Sequence, residues 1–255
     1  MQEDAGYMCG WSQLSRHRQK YILSYGGGVN STALMILLIK QGQPLDEVIF
    51  ADTGCEVPET YEFLNDVVLP YLQEYDIPLK RVACKSGSLY DRCQRRKVIP
   101  SQIWRWCTRD FKVRPIYAYY RSLGNHIVQY LGIAYEERER MRKSGVLYVS
   151  NKYPLVSLKL TRCDCLDRIF MAGIDFPVRS GCFFCPFNSI SRWTEIYEKH
   201  NDLFMKAMTL EEKSKHFPKQ RLTRTSLREL ENKLATNQPL PEIKVRKPCG
   251  SECLI

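Results

Sequence analysis

Residues 21–40, YILSYGGGVNSTALMILLIK, decide how this chain is read. Tyr21–Tyr25 is a short apolar run closed by three glycines, the pattern of a buried strand. Asn30–Lys40 follows with strong helix formers and apolar residues on several faces, as in a helix laid on a sheet. Between them Gly26, Gly27 and Gly28 let backbone N–H groups come close to an anion. The helix start adds free donors and a partial positive charge. Ser24 stands just before the glycines, and Asn30, Ser31 and Thr32 can cap the helix or bond a phosphate oxygen. The Gly-Lys-Ser/Thr ending of a Walker A loop is missing. A tight strand–helix turn without a ligand is the competing reading.

Working outward, Glu47–Ala51 reads as a second strand, Glu59–Glu74 as a second helix and Lys80–Ala83 as a third strand. His126–Ile133 is a further strand, and Thr161–Gly173 is an amphipathic helix ended by glycine. This alternation predicts an α/β fold, a parallel twisted sheet with helices on both faces. Ligands in such folds bind at the carboxyl ends of the strands. Leu203–Ala235 reads as helical and highly charged, ahead of a proline-broken tail. The expected organisation is an N-terminal arm (1–19), a nucleotide-binding domain with a cysteine-ligated metal centre (20–200), a helical extension (201–236) and a cysteine-containing tail (237–255).

Composition sets the outer bounds. The chain has 255 residues, 44% hydrophobic and 26% charged, as in an ordinary globular protein. No stretch approaches the apolar length of a membrane span, and the first twenty residues do not resemble a secretory signal, so a cytoplasmic location is expected. A net charge of +10 favours anionic ligands: nucleotides, sulfonucleotides or nucleic acid. Eleven cysteines, an odd number in a reducing compartment, point to metal ligation or thiol chemistry rather than disulfides.

Cys182-Phe183-Phe184-Cys185-Pro186 is the strongest local spacing, because two thiolates three residues apart converge on one metal or cluster. Cys107, and Cys163 or Cys165, are candidates to complete a set. A structural zinc site, a redox pair and a 4Fe–4S cluster all remain open on spacing alone. Phe183, Phe184 and Phe187 would shield a cluster from water.

Taken together, these motifs resemble those of the PAPS-reductase family within the PP-loop adenine-nucleotide α-hydrolases. The glycine loop resembles the pattern Ser-Gly-Gly-x-Asp-Ser, with Gly26 in place of the serine and Asn30 in place of the aspartate. Asp52-Thr53-Gly54…Pro58-Glu59-Thr60 resembles the family's Asp-Thr-Gly…Pro-Glu-Thr motif, and Cys107…Lys112…Pro115 its Cys…Lys…Pro segment. The resemblance implies a Rossmann-like PP-loop domain that binds ATP, or PAPS or APS, through Ser24, Gly26–Gly28, Asn30–Thr32 and Asp52–Gly54, with magnesium a further candidate. It implies a 4Fe–4S cluster, zinc being the alternative, on Cys107, Cys182, Cys185 and Cys165 in preference to Cys163. DNA phosphorothioation sulfurtransferases are among the relatives that carry a cluster. Arg140, with Arg138 second, matches the family's phosphate-binding arginine. Glu252-Cys253, near Cys249, resembles the start of the reductase tail whose cysteine attacks sulfur. The implied activity is ATP-dependent sulfur transfer to a nucleic-acid or protein acceptor, with a cysteine desulfurase as sulfur source. The alternatives are a thioredoxin-linked PAPS or APS reductase, and a non-catalytic nucleotide-binding protein.

Overall fold

The computed structural model describes residues 19–215, 221–223, 225–236 and 238–240. Cys249, Cys253 and nearly all of the expected arm lie outside the described residues. The chain begins with β1 (Lys20–Tyr25), α1 (Val29–Lys40) and β2 (Glu47–Asp52). A helical stretch follows, α2 (Pro58–Glu62) and α3 (Leu69–Gln73), joined by a wide i→i+5 turn at Phe63–Val68. After β3 (Leu79–Ala83) come α4 (Leu89–Arg96), the single turn α5 (Trp106–Thr108) and α6 (Arg114–Leu123). Next are β4 (Ile127–Leu131), β5 (Val149–Lys152), the turn α7 (Pro154–Ser157) and α8 (Arg162–Met171). The described chain closes with α9 (Ile190–Lys199), α10 (Asn201–Lys213) and α11 (Leu227–Ala235).

The five strands form one parallel sheet in the order β3-β2-β1-β4-β5. Period-two alternation sorts their side chains between two layers. Leu23, Tyr25, Val48, Phe50, Val128 and Tyr130 face α1, the α2–α3 stretch and α8. Ile22, Ile49, Ala51, Ile127 and Val149 face Ile116 and Tyr120 of α6. Sandwiched between the sheet and α8, α1 buries every residue from Ser31 to Leu38, which explains its apolar character on several faces. Each such leucine or isoleucine contributes about 1.5–3 kcal/mol of burial. A third apolar cluster lies beyond the strands and joins Cys55 and Val57 to Phe183, Phe184, Trp193, Phe204 and Leu227.

The α/β architecture agrees with the sequence reading, and three local features depart from it. The span 203–235, read as helical, contains α10 and α11 with non-helical described residues between them. Buried Glu211 accepts backbone N–H bonds from Leu222 (2.7 Å) and Leu227 (2.6 Å), and the Ser226–Glu229 capping box starts α11 afresh. The helix expected over Glu59–Glu74 widens at Phe63–Val68 just ahead of Pro70, which has no N–H for the regular ladder. The same happens at Arg109–Val113, ahead of Pro115. Finally, β5 carries the sequence VSNK, whose half-exposed edge position removes any apolar run to recognise.

Two positions fix the frame around β1. A β-carbon at Gly132, just after β4, would lie 2.9 Å from Ser31 N and Cα. Both contacts are backbone and cannot yield, so Gly132→Ala is expected to cost about 1–3 kcal/mol, read as a lower urea midpoint. Asp110 takes Arg109 Nε at 2.8 Å, Arg114 at 3.0 Å and Arg92 at 3.1 Å. The Arg109 hydrogen bond and the three positive charges hold its carboxyl below the usual range despite partial burial. The stability it contributes is therefore full above about pH 4 and lost as pH falls through its depressed folded value. Asp110→Asn is expected to cost about 1–2 kcal/mol at neutral pH and to flatten the acid limb of a stability–pH curve.

Candidate functional site: a glycine loop beneath a cysteine loop

The reversal of strand order places β4 beside β1, and the crevice at their carboxyl ends is where α/β sheets hold ligands. The glycine loop lies there. Gly27 has φ +78°, a conformation open to glycine, and Gly28 is the extended N-cap of α1. Helix geometry leaves the N–H groups of Val29, Asn30 and Ser31 without intrahelical acceptors. Ser31 Oγ donates to the Gly28 carbonyl at 2.9 Å and accepts from its N–H at 3.3 Å, tightening the turn. Thr32 faces inward, fully buried, with its hydroxyl 2.9 Å from Tyr25 Oη. Ser24 lies within β1, in register with Ile49 and Leu131, and Gly26 is exposed, a β-carbon there meeting Ser31 Oγ at 3.9 Å.

Asp52 does not reach outward. Its Oδ1 accepts from Gly54 N at 2.7 Å and Tyr61 Oη at 2.8 Å, which locks the turn after β2. Gly54, at φ +68°, sits so close to Ser88 that a β-carbon would approach it to 2.8 Å. Thr53 Oγ1 lies 3.2 Å from Cys182 Sγ. Glu56 pairs with Cys182 in an antiparallel bridge, and Phe183 N–H donates to the Cys55 carbonyl at 2.8 Å. The cysteine loop is therefore stitched to the end of β2. It also covers the glycines, because β-carbons at Gly28 and Gly27 would lie 2.9 Å from Ser180 Oγ and 3.3 Å from Ser180 Cβ.

Glu56 holds the centre of this contact. Its side chain is buried; Oε2 accepts Gly181 N–H at 2.7 Å and Oε1 lies 3.4 Å from Lys112 Nζ. Burial works against the Lys112 charge, but Glu56 together with Cys182 and Cys185 keeps it protonated, above the ordinary lysine value. Burial pushes the Cys182 thiol well above its usual range, Glu56 adding to the effect, and raises Cys185 in the same way. Cys107 is an electrostatic neighbour of Cys185 and packs on the same apolar cluster as Cys182.

Cys165, the expected fourth ligand, is not with them. It is buried between α1 and α8 in the core on one sheet face, where burial pushes its thiol up to about 12. Cys163 lies near it at the start of α8. Cys55 does belong to the thiol region and is buried, its sulfur accepting Tyr90 N–H at 3.2 Å. Among the described residues no three His, Cys, Asp or Glu side chains converge closely enough to hold a metal ion. The donor chemistry nevertheless suits a thiolate-bound centre: three cysteines against apolar rings, an adjacent ammonium, and the buried, unpartnered indole N–H of Trp106 beside Cys107.

Arg140 pairs with Glu137, whose other oxygen accepts Asn30 Nδ2 at 3.1 Å. The arginine segment is thereby tied to the first turn of α1. Arg138 instead stacks over Tyr135. Sequence reasoning passed over Glu56, Glu137 and Ser180, since an acid or a serine in a loop has no periodicity to mark it. A cavity of about 490 Å³ lined by Tyr120, His126 and Tyr148 opens at the amino end of β4, away from these loops.

Two uncharacterized proteins of Methanocaldococcus jannaschii are 26% and 24% identical to this chain, over 72% and 74% of its length. The chain spans under half of either relative, 45% and 41%. Among solved structures, the phosphoadenylyl-sulfate (PAPS) reductase of Candida auris, a phosphate complex, superposes with a TM-score of 0.46 at 16% identity, covering 62% of this chain and 75% of that one. The U34-tRNA thiolase NcsA of Methanococcus maripaludis, solved with its [4Fe-4S] cluster, gives 0.42 at 15% identity, covering 78% and 73%. Residues 20–158, from β1 through α7, match the phosphoadenosine phosphosulfate reductase domain. That match runs over more than half of the chain and takes in the strand ends and glycine loop that build the site, so the protein belongs to the phosphoadenosine phosphosulfate reductase domain family.

Proposed function

We propose that this chain binds an adenine nucleotide on the glycine loop and couples chemistry at its α-phosphate to sulfur transfer by the neighbouring thiols. The observation that carries the reading is the contact between Ser180 of the cysteine loop and the backbone of Gly27 and Gly28. It brings a phosphate-binding helix terminus and a thiol pair into one site. In this reading the N–H groups of Val29, Asn30 and Ser31 grip phosphate oxygens, as helix N-termini do for anions, and Arg140 stands at the rim. ATP is the favoured nucleotide. An acceptor oxygen attacks the α-phosphorus, the bond to the bridging oxygen breaks and pyrophosphate leaves. A sulfur nucleophile then displaces AMP from the activated acceptor.

Cys107, Cys182 and Cys185 are the residues that would hold a 4Fe–4S cluster, or zinc in its place. Such a centre supplies a protected site for a sulfur atom. Lys112 balances the thiolate charge there, and Phe183 and Phe184 exclude water. The net charge of +10 suits a nucleic-acid acceptor, a protein being the alternative, with a cysteine desulfurase as donor, in a cytoplasmic setting. Membership of the reductase family favours one other reading: attack by a cysteine on the sulfur of PAPS or APS, with a thioredoxin returning the enzyme to its thiol state.

Incubation of anaerobically purified protein with ATP, APS and PAPS separates the two. Pyrophosphate released from ATP is the expected result; sulfite from APS or PAPS would establish the reductase instead, and neither product would sink both. Glu56→Gln keeps the side-chain shape but removes the charge opposite Lys112. It is expected to lower sulfur transfer by about 10–100-fold while ATP affinity, measured by calorimetry, stays near that of the wild type.

A further inference from the structure

Besides the helix N–H groups and Arg140, a side chain from the cysteine loop stands over the glycine loop. Ser180 Oγ lies 2.9 Å from the place a Gly28 β-carbon would occupy, at the N-cap of α1. Its hydroxyl makes no hydrogen bond to any described residue, although its own chain is held firmly. Gly181 N–H donates to Glu56 at 2.7 Å, and Cys182 pairs with Glu56 in the antiparallel bridge. The surroundings of the glycines carry a second unanswered hydroxyl. Thr60 is buried, its Cγ2 would meet a Gly27 β-carbon at 3.2 Å, and its Oγ1 has no partner. The Ser180 hydroxyl, free to donate beside helix N–H groups without intrahelical acceptors, suits an oxyanion there, and Thr60 is a second buried hydroxyl packed on the same turn. Of the carboxylates around this helix start, Glu56 is engaged by Gly181 and Lys112, and Glu137 by Asn30 and Arg140.

We propose that Ser180 is a phosphate-binding residue, donating its hydroxyl to a phosphate oxygen of the nucleotide on the glycine loop. This rests on the nucleotide reading above and adds a consequence to it. Because Ser180 lies two residues before Cys182, a nucleotide that bonds Ser180 also fixes the loop that presents the thiol. Occupancy of the phosphate site and the position of the sulfur are then one event.

The test is calorimetric titration of the full chain with ATP, inorganic pyrophosphate and adenosine. Ser180→Ala is expected to weaken ATP and pyrophosphate about tenfold and to leave adenosine unchanged, since the lost bond is to phosphate. Ser180→Asp is expected to abolish pyrophosphate binding by placing like charge against it. Unaltered ATP and pyrophosphate affinity in Ser180→Ala would overturn the assignment. So would an equal loss for all three probes, which marks a collapsed loop rather than a missing donor. A wild-type chain that takes none of the probes would remove the nucleotide reading itself, a result distinct from wild-type binding that the alanine variant shares.

Discussion

The site depends on a close backbone approach at the end of β1. The chain must leave the strand, turn through Gly27 at positive φ and enter α1 with its first N–H groups turned to the crevice beside β4. Two other segments press on that turn. Gly132 abuts the first turn of α1 from the β4 side, and the Ser180 segment lies over Gly27 and Gly28. Side chains at these glycines would meet main chain at Gly132 and Ser180 or Thr60 at the loop, and main chain cannot rotate aside. The helix terminus is therefore held by packing and by the Ser31 hydroxyl on Gly28, and the glycine at the N-cap has no side chain to occupy the first N–H groups, which leaves them for an anion.

The second constraint is Glu56. A buried carboxylate is costly unless it is paired and hydrogen-bonded, and Glu56 has both forms of compensation from different parts of the chain: Gly181 N–H and the Lys112 ammonium. Three segments, the loop after β2, the cysteine loop and the helical stretch after Cys107, are drawn together through one side chain. Asp110 performs a similar task behind them, joining Arg92 of α4 to Arg109 and Arg114. The thiols thus sit among the charge pairs of buried carboxylates and aromatic packing, where Phe183 and Phe184 meet Tyr90.

How much of this could be seen in the sequence follows from what kind of force sets each feature. The glycine loop, β1, α1, β2 and β4 were legible because local periodicity and turn chemistry determine them, and their alternation implied a parallel sheet, whereas the strand order is set by long-range pairing. The cysteine pair was legible by spacing. Its relation to Cys165 was not, because α8 packs on α1 through ordinary core contacts that take Cys165 into a different layer. Likewise Asp52 and Thr32 looked like ligand contacts by type, whereas the structure gives Asp52 to its own turn and Thr32 to Tyr25. The long-range pairs Glu56–Lys112 and Asn30–Glu137 join residues 56 and 107 positions apart, beyond what any local pattern encodes.

The departure of the loop from the family pattern at Asn30 has a physical account in that last pair. Asn30 Nδ2 donates to Glu137 Oε2, and Glu137 in turn pairs with Arg140. An aspartate at position 30 would bring a second carboxylate to within hydrogen-bonding distance of Glu137, at the helix start proposed to hold an anion. Two like charges so close raise one pKa or push the groups apart. The amide avoids this: it donates to the acid and carries no charge. Asn30, Glu137 and Arg140 thus form one charge-balanced unit at the rim of the crevice, in which the neutral residue next to the helix terminus is required by the acid beside it.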